Sequence, residues 1–168
     1  MNTLGIRVTP SEIYYSIYNS QIKKIELKVF KRANYLEVPD FLKYVRYNFL
    51  DILSAKKIEI VIIKKIEFMA KNINFDRIYI EGVIQEALSS SDVTNYFIET
   101  KATFLNQIKK FQPNIKEIKQ ILKNKEDFSN LVKDFVDINE IKNTNEEIRE
   151  AILASVLAYN KGILCQKK

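Results

Sequence analysis

The sequence predicts an α/β protein: a five-stranded mixed sheet, three antiparallel strands followed by two parallel ones, flanked by helices. Three observations predict it. Residues 57–67 hold an apolar run that is wholly β-branched, Ile60-Val61-Ile62-Ile63. A short β-branched run bounded by charges reads as a strand buried on both faces. Residues 12–19 and 22–30 alternate with period two and are rich in strand formers. From residue 39 onward, several stretches carry apolar residues at helical spacing instead. The length of 168 residues predicts a single domain, 1–168, with a substantial buried core.

Residues 2–8 read as a short strand ended by Thr9-Pro10-Ser11, where Pro10 lacks a donor and suits a turn. In 12–19, Ile13, Tyr15 and Ile17 take one face and Tyr14, Ser16 and Tyr18 the other. In 22–30, Ile25, Leu27 and Val29 oppose Lys24, Glu26 and Lys28, which form a solvated face. Short turns make these three an antiparallel meander. Pro39-Asp40 opens a helix with Phe41, Leu42, Val45, Phe49, Ile52 and Leu53 on its stripe, ending near Ser54-Ala55. That helix lets the 57–67 strand return parallel to the first.

Residues 75–90 contain Arg77-Ile78-Tyr79-Ile80, which has strand character, but the spacing Tyr79, Val83, Ile84, Ala87, Leu88 fits a helix better. Residues 93–99 read as a fifth strand. Thr100 caps a helix over 101–111 with Phe104, Leu105 and Ile108 inside. Pro113 separates it from a helix-prone region, 114–140, with two amphipathic sets: Ile115, Ile118, Ile121 and Leu122, then Phe128, Leu131, Val132 and Phe135. A last helix spans 145–162, capped by Thr144 or Asn145. Glu146 and Glu147 favour its positive end, and Gly162 is its C-cap. Its stretch from Ala151 to Ala158 has no charge and is expected against the sheet.

Composition narrows the chemistry. The chain has no histidine, which removes Ser-His-Asp and Cys-His catalysis and the usual zinc sites. Its one cysteine, Cys165, forms no internal disulfide and reads as a tail thiol rather than a nucleophile. With no membrane-length apolar run and no signal pattern, the expectation is a cytoplasmic protein with no membrane partner.

The net charge is +6, and the first 71 residues carry 13 Lys+Arg against 7 Asp+Glu, so the whole excess lies there. That asymmetry points to an anionic partner, nucleic acid first; ordinary solvated lysines are the other reading. Lys23, Lys24, Lys28, Lys31 and Arg32 cluster around the third strand, with Tyr18 and Phe30 nearby. Cations interleaved with aromatics suit single-stranded nucleic acid; an edge strand guarded by lysines has the same pattern. Tyr44, Arg46 and Tyr47 read either as a protein-interaction face or as plain helix flank. Lys64 and Lys65 follow the central strand at its carboxyl end, where open α/β sheets hold their ligands.

Five stretches carry a family resemblance: Leu4-Gly5-Ile6-Arg7 with the following turn and Tyr/Ile strand; Ile60 to Lys65; Glu81-Gly82-Val83-Ile84-Gln85-Glu86-Ala87; Tyr96 to Lys101 with Phe104; and Glu147-Ile148-Arg149-Glu150-Ala151-Ile152-Leu153-Ala154. In that order they resemble the first hairpin, fourth strand, next helix, last strand with its lysine-bearing helix, and final helix of the ribonuclease H-like superfamily, in its RuvC-like resolvase branch. The resemblance implies a nuclease that holds two divalent ions, magnesium or manganese, with four carboxylates. One comes from the first strand, one from the end of the fourth, and two from the final helix. Ions about 4 Å apart clamp the scissile phosphate and need oxygen ligands.

This sequence departs from that set. The first-strand position falls on Arg7, and the fourth-strand position on Lys64, or on Lys65 with a one-residue slip. Glu147 and Glu150 keep the helix pair, on one face at i,i+3; both also read simply as a favourable helix start. The expectation is a salt-bridged cluster of Arg7 and Lys64 with Glu147 and Glu150, and no cofactor. Direct phosphate contact by Arg7 and Lys64 is a second reading. A metal site rebuilt from Glu67, Glu81 and Glu99 is a third. The function expected is a catalytically inactive domain kept for nucleic-acid binding or assembly, with nucleic acid, another protein or a second copy as partner. Nucleic-acid contacts are expected from Arg7, Lys23, Lys24, Lys28, Lys31, Arg32, Lys64 and Lys65. The alternatives are a magnesium- or manganese-dependent nuclease with a non-standard carboxylate set, and a purely protein-interaction subunit.

Overall fold

A computed structural model describes residues 1–67, 74–110, 115, 117–141 and 143–166. Phe111, Pro113 and the Cys165 side chain, named above, lie outside the described residues. Strands β1 (Asn2–Val8), β2 (Glu12–Asn19) and β3 (Lys24–Lys31) form the antiparallel meander. Helix α1 (Val38–Ala55) leads to β4 (Ile58–Lys64), parallel to β1. Helix α2 (Phe75–Ser89) leads to β5 (Asn95–Glu99), parallel to β4. The sheet order is β3-β2-β1-β4-β5. Then come α3 (Lys101–Ile108), α4 (Ile118–Lys123), α5 (Lys125–Val132), α6 (Ile138–Ile141) and α7 (Glu146–Gln166).

The sheet separates two apolar cores. On one face Phe41, Val45, Phe49 and Leu53 of α1 and Ile80, Ile84, Ala87 and Leu88 of α2 cover Leu4, Ile6, Val61 and Ile63. On the other, α7 lies across the sheet with α3, α4 and α5 beside it. The central strands are buried on both sides, which is why Ile60 to Ile63 needs no alternation. At Gly5 a side chain would collide with the α7 backbone, its Cβ falling 2.0 Å from the Ala151 carbonyl oxygen. Thr3 Oγ1 donates to the Ser155 carbonyl at 2.7 Å, and the hydroxyls of Ser16 and Ser155 lie 3.0 Å apart. Helix α7 therefore rests directly on β1 and β2.

Several details differ from the sequence reading. The third strand begins at Lys24, because Lys23 turns with a φ of 52° and Ile22 is exposed. In α2 the buried stripe starts at Ile80, leaving Tyr79 exposed. The Ile80, Ile84, Ala87, Leu88 row is equally regular and wholly aliphatic, so it takes the core while the phenol stays wet. The region beyond Pro113 holds three short helices, α5 capped by Asn124. Gly162 is no C-cap, since α7 runs through it to Gln166. A Cβ there would sit 2.5 Å from Ile60 Cδ1, so this glycine serves close approach instead. Asn145 Oδ1, not Thr144, accepts from the α7 backbone, at Ile148 N.

Candidate functional site

Parallel register sets three charged residues side by side: Arg7 at the end of β1 faces Lys64 of β4, which faces Glu99 of β5. Helices α2 and α3 begin just beyond β4 and β5, and α7 starts at the same end. Each brings charge there: Arg77 and Glu81, Lys101, and Glu146 with Glu150.

Glu150 is the hub. It is 2% exposed; one oxygen is in ion-pair contact with Arg7 Nε, and the other is 2.7 Å from Lys101 Nζ. Lys101 Nζ also reaches Glu146 at 3.0 Å. Lys64 Nζ lies 2.8 Å from Glu67 and donates to the Lys65 carbonyl at 2.9 Å. Glu67 in turn accepts from the Lys101 backbone N–H, tying the end of β4 to the start of α3. Arg77 pairs with Glu81 at 2.9 Å.

The titrations follow from these contacts. Burial pushes the Lys64 amine below its ordinary value, and Arg7 adds to that, only partly offset by Glu67 and Glu150. Burial acts the same way on Lys101, but Glu150 and Glu146 outweigh it and hold the amine above its ordinary value. Burial would raise the Glu67 and Glu146 carboxyls, yet their lysine partners leave both low. Burial, then the nearby Arg7 charge, lowers the Arg77 value.

Of the cluster expected from sequence, Arg7 and Glu150 meet. Lys64 takes Glu67 rather than a helix glutamate, and Glu147 lies beside Tyr14, outside the ion pairs of this cluster. Glu146 stands in its place, because Lys101 approaches α7 from α3 and bridges an i,i+4 pair. The rebuilt metal site is not assembled. Glu67 is on Lys64, Glu81 on Arg77, and Glu99 on Lys161. Among the described residues no group of three or more metal-ligating side chains converges. The donor set does not fit two divalent ions: β1 and β4 deliver cations, and both Glu150 oxygens face cations.

The basic cluster around β3 divides between the two ends of the sheet. Lys31, on Glu12, and Arg32, on Asp76, belong to the site end. Lys23 and Lys24 lie at the other end, roughly 24 Å away along the strand, and Lys28 is exposed between them. Tyr18 is 2% exposed and packs on Tyr159 and Phe135, so it offers no stacking platform. Phe30 packs on Tyr15, Tyr44 and Phe49. Lys65 is half-buried, its backbone N–H donating to Glu99. Sequence reasoning missed Arg77 and Glu146 as cluster members and left Lys101 unassigned. The available signal was position: Arg77 and Lys101 open the helices that follow β4 and β5.

No protein-family model matches the chain, and no curated protein matches it. Solved structures do. RuvC of T. thermophilus in complex with a Holliday junction substrate is similar with a TM-score of 0.69 at 15% identity, over 98% of this chain and 96% of that one. The Fowlpox virus resolvase with Holliday junction DNA gives 0.54 at 18% identity, over 98% and 99%. The yeast mitochondrial Holliday junction resolvase Ydc2 gives 0.52 at 7% identity, over 98% and 85%.

Proposed function

We propose that this chain, which has the ribonuclease H-like fold of the RuvC resolvases, is a nucleic-acid-binding module without metal-dependent hydrolysis. One observation carries the reading. Where the resemblance puts a carboxylate for two metal ions, Arg7 occupies β1 and is paired with Glu150, which also holds Lys101. Two cations in place of two anions repel the divalent ions that the chemistry needs. The fold and the basic first part of the chain are what support binding. Arg7 and Lys64 are paired and mostly buried, so phosphate contact falls to side chains such as Lys24, Lys28, Lys31 and Lys101 that reach solvent. Such contacts release counterions, and affinity then falls steeply with salt.

The test is a titration against fluorescent single-stranded, duplex and four-way-junction DNA and RNA at several salt concentrations, with the Lys24→Ala/Lys28→Ala variant alongside. The same substrates are incubated with magnesium or manganese. Salt-sensitive binding, weakened in the variant, and intact substrates are expected. Metal-dependent cleavage would sink the loss of hydrolysis. Absence of binding at low salt would sink the nucleic-acid reading.

A second reading, self-association, is favoured by one surface. Tyr44 and Tyr47 of α1 and Phe75, Ile78 and Tyr79 of α2 stand exposed. Gly82, one turn beyond Ile78 and Tyr79, has open space at its Cβ position, so a second copy's helix can approach closely. Arg46 and Glu86 close the rim with contacts of 2.6 and 3.1 Å. Sedimentation of Tyr79→Glu against the parent chain tests it: a dimer that dissociates supports the surface, and a parent that is monomeric at all concentrations removes it.

A further inference from the structure

At the site end of the sheet, among the described residues, the buried cations other than Arg149 each have a carboxylate within ion-pair distance. Arg7 has Glu150, Lys64 has Glu67, Arg77 has Glu81, and Lys101 has Glu146 and Glu150. Arg149 is 6% exposed, and its Nε and Nη1 have no hydrogen-bond partner. Its neighbours in α7, Glu150 and the run from Ala151 to Ala158, are otherwise a hub carboxylate and a wall of small or aliphatic residues. An unpaired guanidinium is costly to bury, and an aliphatic side chain would fill the same space without that cost.

The surroundings say what would pair with it. Glu146 lies one turn earlier on the same face of α7. Burial raises the Glu146 carboxyl, and Lys101, Lys123 and Arg149 together more than offset this, so all three cations bear on one carboxylate. The Lys101 and Glu146 side chains are 28% and 31% exposed, so the rim beside Arg149 opens to solvent. Lys101 is also held by Glu150, but Arg149 and Lys123 bear on Glu146 with no ion pair of their own among the described residues, which leaves room for a second anion. A guanidinium with unused N–H groups suits a phosphate oxygen.

We propose that Arg149 receives a backbone phosphate of the bound nucleic acid, with Lys101 and Lys123 flanking it and Glu146 as the carboxylate that the phosphate displaces. This rests on the nucleic-acid reading above and gives it a residue outside the metal-ligand positions that the resemblance implies. Arg149→Met keeps an unbranched apolar stem and removes the charge. Its fold is checked by circular dichroism and thermal midpoint. With fluorescent single-stranded and junction DNA as probes, its affinity is expected to fall about tenfold and its salt slope by about one, as for one lost phosphate contact. Glu146→Gln leaves Arg149 in place and is expected to bind more tightly; it carries the test if Arg149→Met fails to fold. Equal affinity of the parent and Arg149→Met, or a Glu146→Gln variant that binds no better, overturns the inference while the module reading stands. If the parent binds neither probe, the module reading itself falls and takes this inference with it.

Discussion

Arg7 on β1 and Glu150 on α7 are held in ion-pair contact inside the protein, with Glu150 only 2% exposed. The contact clamps a strand to the helix that crosses it, and it does so with two charges withdrawn from water.

Removing Arg7 leaves the buried Glu150 with Lys101 alone. Arg7→Ala is expected to destabilise the fold by about 3–5 kcal/mol, the range for breaking a buried pair. The double substitution Arg7→Met/Glu150→Leu should cost less than Arg7→Ala, since no charge is left unpaired. Urea unfolding of the three proteins measures both differences. Equal losses would show that the pair contributes through packing alone.

Magnesium and manganese should leave the thermal midpoint where chelator leaves it. A ligand that binds only the folded state raises stability with its concentration. Both Glu150 oxygens lie against cations, Arg7 and Lys101, which oppose a metal ion there. A saturable rise with either ion in a thermal scan would contradict the ion-pair arrangement.

Stability should be level between acid and alkaline limits set by the ion pairs. Glu67 and Glu146 fold with carboxyls below their ordinary 4.5, so their contribution is full above that value and is lost as pH falls through the folded values. Lys101 folds with its amine above 10.5, so its contribution is full below 10.5 and is lost as pH rises through the folded value. Lys64 acts in the opposite sense: its folded value lies below 10.5, so its burden is relieved as pH climbs, and the alkaline limb should be the shallower. Urea midpoints across pH should show this, and Glu146→Gln should flatten the acid limb. An acid limb unchanged by that substitution would place the titrating carboxylates elsewhere.

Gly5→Ala should be among the most damaging small substitutions in the chain. The added carbon would lie 2.0 Å from Ala151 O and 2.3 Å from Ser155 N, both backbone atoms that cannot rotate away. Overpacking of this kind costs about 3 kcal/mol or more when α7 must shift as a body. Gly82→Ala, with open space around it, should be tolerated. Denaturant midpoints of the two variants give the comparison.

The strands were legible because each carries its pattern in its own residues. The Ile60 to Ile63 run and the alternation of 12–19 marked position, and the short turns and the helix before β4 gave direction. Where two helical stripes competed, as in α2, pattern alone chose Tyr79 over Ile80, since spacing does not weigh a phenol's need for water. Gly162 misled because a helix end and a close approach call for the same residue, and only the packing of Ile60 and Met1 separates them. At the site, the resemblance made the meeting of Arg7 and Glu150 readable, since it implies that both positions serve one ligand set. The choice of Glu146 over Glu147 was not, because it depends on which side of α7 Lys101 arrives from, and that is a fact about α3. Arg149 carries no spacing signal of its own; its burial and its two guanidinium nitrogens without a hydrogen-bond partner are facts of packing.

The hydrogen bond from Thr3 to Ser155 spans 152 positions of chain. Helix α7 covers β1, β2 and β4, so much of one face of the sheet stays open until this helix exists. Contacts between such remote segments close late and slow the search for the native state. On the ribosome, where a chain grows at about 5–20 residues per second, β1 to β4 would wait several seconds with that face bare. During that interval the emerging chain is a client for a holding chaperone, and its vulnerability ends only once α7 has emerged and docked.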